Sequence, residues 1–140
     1  MAARIPRDVY RKEEVVQMYR ITRKNFFEAA HFLPRVPEGH KCKNMHGHSY
    51  RVTVQIDGVI DEHLGWIIDT AEIDEVFAEV KDMLDHQVLN EIEGLENPTT
   101  EILSEWLWRF FKSRLNNGRI CKITVIVGES PRSTAIYDGL

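Results

Sequence analysis

Residues 46–48 read His-Gly-His, and from His48 onward the chain alternates: His48, Tyr50, Val52, Val54 and Ile56 against Ser49, Arg51, Thr53 and Gln55. A period of two is that of a strand with one buried face. On such a strand, side chains two apart leave on the same side. His46 and His48 therefore stand on the apolar face, where two imidazoles are drawn toward a protected region. Two imidazoles on one strand face can share a zinc ion, but the site then needs a third ligand. That requirement limits the folds open to the chain, because some other segment has to deliver a donor to the start of this strand.

The segment from Tyr19 to His31 is the candidate. Ile21, Thr22, Phe26 and Phe27 favour a strand, and Phe27, Ala29 and His31 share a face by alternation. His31 ends one apolar face as His46 and His48 begin another. If the two strands pair as antiparallel neighbours, the three histidines converge. Three protein ligands leave the fourth position of a zinc ion open, the arrangement of catalytic rather than structural sites, where a metal polarises a substrate oxygen. The connecting loop, Phe32 to Met45, carries Pro34, Pro37, Gly39 and Cys42. It is longer than most hairpin loops, and such loops are often functional. His40 lies in it without ligand spacing and reads as a loop or substrate-side residue.

The second strand ends at Asp57-Gly58. Gly65-Trp-Ile-Ile-Asp69 leads into a helix, with Asp69 and Glu72 spaced as a capping box and Thr70 as the competing cap. Ile73, Val76, Phe77, Val80 and Leu84 form one apolar stripe, and the helix gives out at Leu84-Asp-His86. A second helix is expected from Asn97-Pro-Thr-Thr100, with Asn97 as cap and Pro98 in the first turn. Its expected buried face is Ile102, Leu103, Trp106, Leu107 and Phe110, and Asn116-Asn-Gly118 stops it. Ile120 to Val127 is a β-branched run in which Ile123, Val125 and Val127 share a face with Glu129. Pro131 and Arg132 suit a turn, and Thr134 to Tyr137 a last strand. The order is ββααββ, an α+β domain with two hairpins and two helices on one sheet face. Residues 1–18 read as an N-terminal extension, either packed on a neighbour or frayed, and residues 19–140 as a single domain.

Composition excludes several function classes. Apolar residues make up 43% and charged residues 29% of the 140, a globular balance. A formal charge of −4 gives no basic footprint for nucleic acid. No apolar run approaches the roughly 18–20 residues needed to span a bilayer. The N-terminus lacks the apolar core of a secretion signal, and the two cysteines, Cys42 and Cys121, do not form a disulfide framework. A reduced cytoplasmic setting is the simplest reading.

Beyond the histidines, Cys42 has three readings: a fourth ligand that closes the metal site, a buried spectator, or a base or nucleophile beside the metal. Lys41 and Lys43 flank it and favour ionisation. Asp85-His86 is either polar punctuation or a proton relay, since histidine titrates near neutrality and a carboxylate can hold it. Glu129 continues an apolar strand face and so needs donors from the protein or from a ligand. A cyclic amidine-like edge with two N–H groups fits it bidentately. Asp69 and Glu72 read as caps, Cys121 as core, and Trp66, Trp106 and Trp108 as packing.

Phe27-Glu-Ala-Ala-His31, Pro37-Glu-Gly-His-Lys-Cys42, His46-Gly-His48, Gly65-Trp-Ile-Ile-Asp69, Leu84-Asp-His86, Leu95-Glu-Asn-Pro-Thr99 and Glu129 together resemble the 6-pyruvoyltetrahydropterin synthase family. The resemblance runs over about residues 20–138, with the motifs in order. The Cys-x-x-x-His-Gly-His spacing is most similar to the 6-carboxytetrahydropterin synthase branch, which serves queuosine biosynthesis. The resemblance implies a tunnelling (T) fold, with subunits joining their sheets into a barrel and active sites where subunits meet, hence a homo-oligomer. It implies that His31, His46 and His48 bind zinc, that Cys42, Asp85 and His86 are catalytic, and that Glu129, Thr99 and Thr100 contact the substrate. That substrate would be 7,8-dihydroneopterin triphosphate, converted to 6-carboxy-5,6,7,8-tetrahydropterin, acetaldehyde and triphosphate. The rivals are a pyruvoyl-type synthase on the same scaffold and a non-catalytic zinc- or pterin-binding module. Lys41, Lys43, Arg23, Lys24 and Arg132 are candidates for the triphosphate. Two departures stand out: Thr70 where many relatives carry Phe, and Ser130 where Thr is usual.

Overall fold

The computed structural model describes residues 16–140. Most of the expected N-terminal extension, residues 1–15, lies outside that range. β1 (Tyr19–His31) and β2 (His46–Gly58) are followed by α1 (Thr70–Leu84), α2 (Thr100–Arg114), β3 (Ile120–Ser130) and β4 (Ser133–Tyr137). The observed order is thus the ββααββ expected from the sequence. The strands form one antiparallel sheet in the order β1-β2-β3-β4.

Alternation decides which face is buried. Phe27 and Ala29 of β1, Tyr50, Val52, Val54 and Ile56 of β2, and Ile123, Val125 and Val127 of β3 are all buried on one side. Both helices pack there. α1 contributes Ile73, Val76, Phe77, Val80 and Leu84, the whole predicted stripe. Asp69 is its cap, its carboxylate accepting the Ala71 N–H at 2.9 Å; such a cap stabilises a helix by about 1 kcal/mol. No helix among the described residues is long and apolar enough to cross a membrane.

The structure corrects four expectations. α2 is capped by Thr99, whose Oγ1 accepts the Ile102 N–H at 3.2 Å, and not by Asn97. The Thr99 N–H closes onto the Asn97 carbonyl at 2.9 Å, so Asn97 and Pro98 form a turn that precedes the helix and the first helical turn starts after Pro98. The buried face of α2 is Leu103, Ser104, Leu107 and Phe111. Ile102 is exposed, while Trp106 and Phe110 lie at the margin, stacked at 5.7 Å with Arg114 over the Phe110 ring. Cys121 is exposed, not core. Gly58 pairs with Ile120 and Asp57 with Lys122, so Cys121 is the extra residue of a bulge, which turns its side chain off the ladder. Gly58 is obligatory there, because an added Cβ would come to 2.2 Å from the Arg119 carbonyl oxygen. Finally, Trp66 is partly exposed at the end of the loop from β2 to α1 and is not a core anchor.

Candidate functional site

The β1–β2 register builds the centre of the site. His31 pairs with His46, Ala29 with His48 and Phe27 with Tyr50. Because the side-chain period is two, this register places His31, His46 and His48 on the same face at the same end of the hairpin. Their ligating nitrogens lie within 4.8 Å of one another. The rings meet edge to face, with centroids 4.6, 5.0 and 4.9 Å apart.

Hydrogen bonds from the backbone fix the tautomers. His31 Nδ1 stands 2.8 Å from the Pro98 carbonyl oxygen, and His46 Nδ1 stands 2.7 Å from the Asn44 carbonyl oxygen. A carbonyl only accepts, so each Nδ1 carries the proton and each Nε2 keeps its lone pair. Those two Nε2 atoms face each other at 3.0 Å. Two lone pairs at that distance repel unless a cation lies against them. His48 Nε2 is buried with no hydrogen-bond partner among the described residues. Two inward lone pairs and the unpartnered Nε2 of His48, gathered at one point, fit a divalent metal that prefers imidazole. The carbonyls of Pro98 and Asn44 supply the outer contacts that orient metal-binding histidines. His31 is only 1% exposed, and burial, joined by the neighbouring imidazoles, holds its pKa below the ordinary histidine value. Within the described residues Cys42 is outside this cluster.

Glu129 joins the cluster from β3. Its Oε2 lies 3.9 Å from His31 Nε2 and 3.8 Å from His48 Nε2. The β3–β4 register shifts between Val127 and Ser130, so Glu129 lies in an irregular stretch of that ladder. Beneath them lies Tyr50, fully buried and stacked on Phe27 at 5.2 Å, with its hydroxyl unpartnered among the described residues. Burial, and then the Glu129 carboxylate, push the Tyr50 phenol well above its ordinary pKa.

Asp85 and His86 end α1 and are tied to β1. Asp85 Oδ1 accepts the Glu28 N–H at 2.9 Å, the His86 N–H donates to the Glu28 carbonyl at 2.6 Å, and Asp85 Oδ2 holds His86 Nδ1 at 3.0 Å. The Glu28 N–H, followed by His86, keeps the Asp85 carboxyl below the usual carboxylate range. His86 takes φ 59, the left-handed conformation that usually calls for glycine after a helix, and its ring is largely exposed. Strain of this kind collects at functional positions. An open cleft of about 400 Å³ is bordered by Glu28, Gly47, His48, His86 and Val88, so His48 of the cluster and His86 of the turn line one space.

The remaining predicted residues fall around this centre. Cys42 sits on a single 3-10 turn, Lys41–Lys43, and its carbonyl accepts the Leu33 N–H at 2.8 Å. Thr99 caps α2 and Thr100 begins it, directly after the carbonyl that orients His31. Of the triphosphate candidates, Arg23 is bound bidentately by Asp74 at 2.7 and 2.6 Å, and Lys43 is paired with Glu38. Sequence reasoning missed Tyr50 and the carbonyls of Pro98 and Asn44. Tyr50 could have been found as the next residue on the His46–His48 face. Backbone carbonyls leave no sequence signal.

A family model described as 6-pyruvoyl tetrahydropterin synthase matches residues 20–140. A relative from Synechocystis sp. named 6-carboxy-5,6,7,8-tetrahydropterin synthase is 37% identical over 99 residues, 65% of this chain and 73% of its own. A relative from Drosophila melanogaster named 6-pyruvoyl tetrahydrobiopterin synthase is 30% identical over 133 residues, 85% of this chain and 79% of its own. The solved structure of Caenorhabditis elegans 6-pyruvoyl tetrahydropterin synthase superimposes with a TM-score of 0.78 at 26% identity, covering 89% of this chain and 98% of that one.

Proposed function

Because the chain belongs to the 6-pyruvoyl tetrahydropterin synthase family, we propose that it is a zinc-dependent lyase that converts 7,8-dihydroneopterin triphosphate to 6-carboxy-5,6,7,8-tetrahydropterin, acetaldehyde and triphosphate, in the synthesis of queuosine. The observation that carries the reading is the convergence of three imidazole nitrogens beside a carboxylate. His31, His46 and His48 hold the metal. A zinc ion bound there supplies a Lewis acid for the oxygens of the substrate side chain.

The protein's own groups do the rest. Glu129 accepts the two N–H groups of the pterin edge, a charge-assisted bidentate contact, and so orients the ring with its side chain toward the histidines. Thr99 and Thr100 border the ring at the start of α2. Cys42 takes a proton from the substrate side chain as its thiolate. His86, held at Nδ1 by Asp85, returns a proton on the other side. The fixed Asp85 carboxylate stabilises the imidazolium each time His86 is charged. Among the described residues β1 and β4 are the open edges of the sheet; unpaired edges are templates for further strands, which supports a homo-oligomer with sites at subunit interfaces, and a cytoplasmic setting is part of the same proposal.

The carboxy product is favoured by the Cys42-x-x-x-His46 spacing and by relatives carrying that name, the one from Bacillus subtilis covering 92% of the chain among them. A pyruvoyl product is the second reading, supported by the Drosophila melanogaster relative. Incubation of the metal-loaded protein with dihydroneopterin triphosphate, followed by mass spectrometry of the pterin, separates the two. A carboxy product with acetaldehyde is expected. An unaltered substrate sinks both readings in favour of a binding module.

A further inference from the structure

We propose that His40 is a positioning residue for Cys42: its imidazole caps the turn that carries the cysteine and sets where the thiol stands. The inference rests on the catalytic assignment of Cys42 above. His40 has no ligand spacing, and it is not among the groups that gather at the histidine cluster. Its contacts are with the backbone. Gly39 takes φ 87, and the His40 N–H closes onto the Pro37 carbonyl at 3.1 Å. His40 itself is extended, and its carbonyl accepts the Lys43 N–H at 3.1 Å. With the backbone fixed on both sides, the ring stands over the following turn. Its Nδ1 accepts the Cys42 N–H at 3.1 Å.

Cys42 is thereby held at both of its backbone polar groups. The His40 ring takes its N–H, and the Leu33 N–H takes its carbonyl, two residues beyond His31. The second bond ties the turn to the strand end that carries the buried histidine. The first fixes its rotation. Serine, asparagine and aspartate are the usual residues for such a cap. An aspartate would place a negative charge beside a thiol that has to release its proton. An imidazole accepting at Nδ1 is neutral, with its proton on Nε2, so it caps the turn without opposing the thiolate. Asparagine is the closest neutral substitute, because its side-chain oxygen reaches the N–H two residues on.

The test uses the full-length, metal-loaded protein. Labelling with 15N-cysteine gives two amide signals, since the chain has two cysteines, and a Cys121→Ser sample assigns them. His40→Ala is expected to speed solvent exchange of the Cys42 amide at least about threefold, as loss of a cap raises local opening. Turnover of dihydroneopterin triphosphate is expected to fall at least about tenfold in kcat with KM within about twofold, the pattern of a displaced reacting group. His40→Asn should restore both to within about threefold of the parent, with metal content the same throughout. An asparagine variant as impaired as the alanine one overturns the proposal, because the ring itself is then required. So does an alanine variant with unchanged exchange or unchanged kcat. Absence of turnover in the parent defeats the functional reading instead, and the exchange measurement still decides the cap.

Discussion

Replacing Tyr50 with phenylalanine is expected to stabilise the metal-free protein. Tyr50 is fully buried, and its hydroxyl has no partner among the described residues. A buried polar group left unpaired costs roughly 1–3 kcal/mol. The phenyl ring retains every apolar contact: the stack on Phe27 at 5.2 Å and the edge contacts to His31 at 5.8 Å and His48 at 5.5 Å. The space left by one oxygen is smaller than a methyl group and offsets at most about 1 kcal/mol. The net gain is about 0.5–2 kcal/mol, which corresponds to a rise in Tm of about 2–6 °C for a chain of this size. Thermal unfolding of both proteins by circular dichroism, metal-free at pH 7 and at equal concentration, measures it. Equal concentration matters because association contributes to apparent stability. A phenylalanine variant less stable by about 1 kcal/mol or more refutes the reasoning, since the hydroxyl must then have a partner in solution, a retained water or the Glu129 carboxylate.

Three other outcomes are expected. His46→Ala or His48→Ala should lose nearly all bound zinc by elemental analysis, from about one ion per chain in the parent; full occupancy in both variants removes the three-histidine assignment. Cys42→Ala should keep its metal and its fold but lose most turnover, because the thiol lies outside the histidine cluster; loss of zinc on that change would make Cys42 a ligand. Glu129→Gln should weaken pterin binding at least about tenfold in calorimetric titration, since charge-assisted hydrogen bonds are worth roughly 1.5–3 kcal/mol and about 1.4 kcal/mol is a factor of ten. Zinc content should not change, and unaltered pterin affinity would mean that Glu129 is satisfied within the protein.

Much of the architecture was legible along the chain because its signals are local. Alternation in β2 and the 3.6-residue stripe of α1 report burial directly, and all five residues of that stripe are core. In α2 the pattern was ambiguous. Apolar residues at 102, 103, 106, 107 and 110 cover two adjoining faces, and the sequence does not say which one meets the sheet. Packing against β3 chose the line through Leu103, Leu107 and Phe111. Cys121 failed for a related reason: a bulge is a relation between two strands, and the residue inserted there belongs to neither face.

By itself the sequence determined which residues could be ligands and, through the period of two, that His31 shares a face with Ala29 and His46 with His48. Only the tertiary structure decided how those faces meet. The pairing of His31 with His46 is a register, and a slip of one residue would carry one set of imidazoles to the opposite side of the sheet. Tautomer, too, is a tertiary property. The carbonyls of Pro98 and Asn44 take the Nδ1 protons of His31 and His46 and leave their Nε2 lone pairs turned inward. Neither carbonyl differs chemically from any other in the chain. What makes them part of the site is their placement: Pro98 just before α2, 67 residues on from His31, and Asn44 at the end of the β1–β2 loop, two residues before His46.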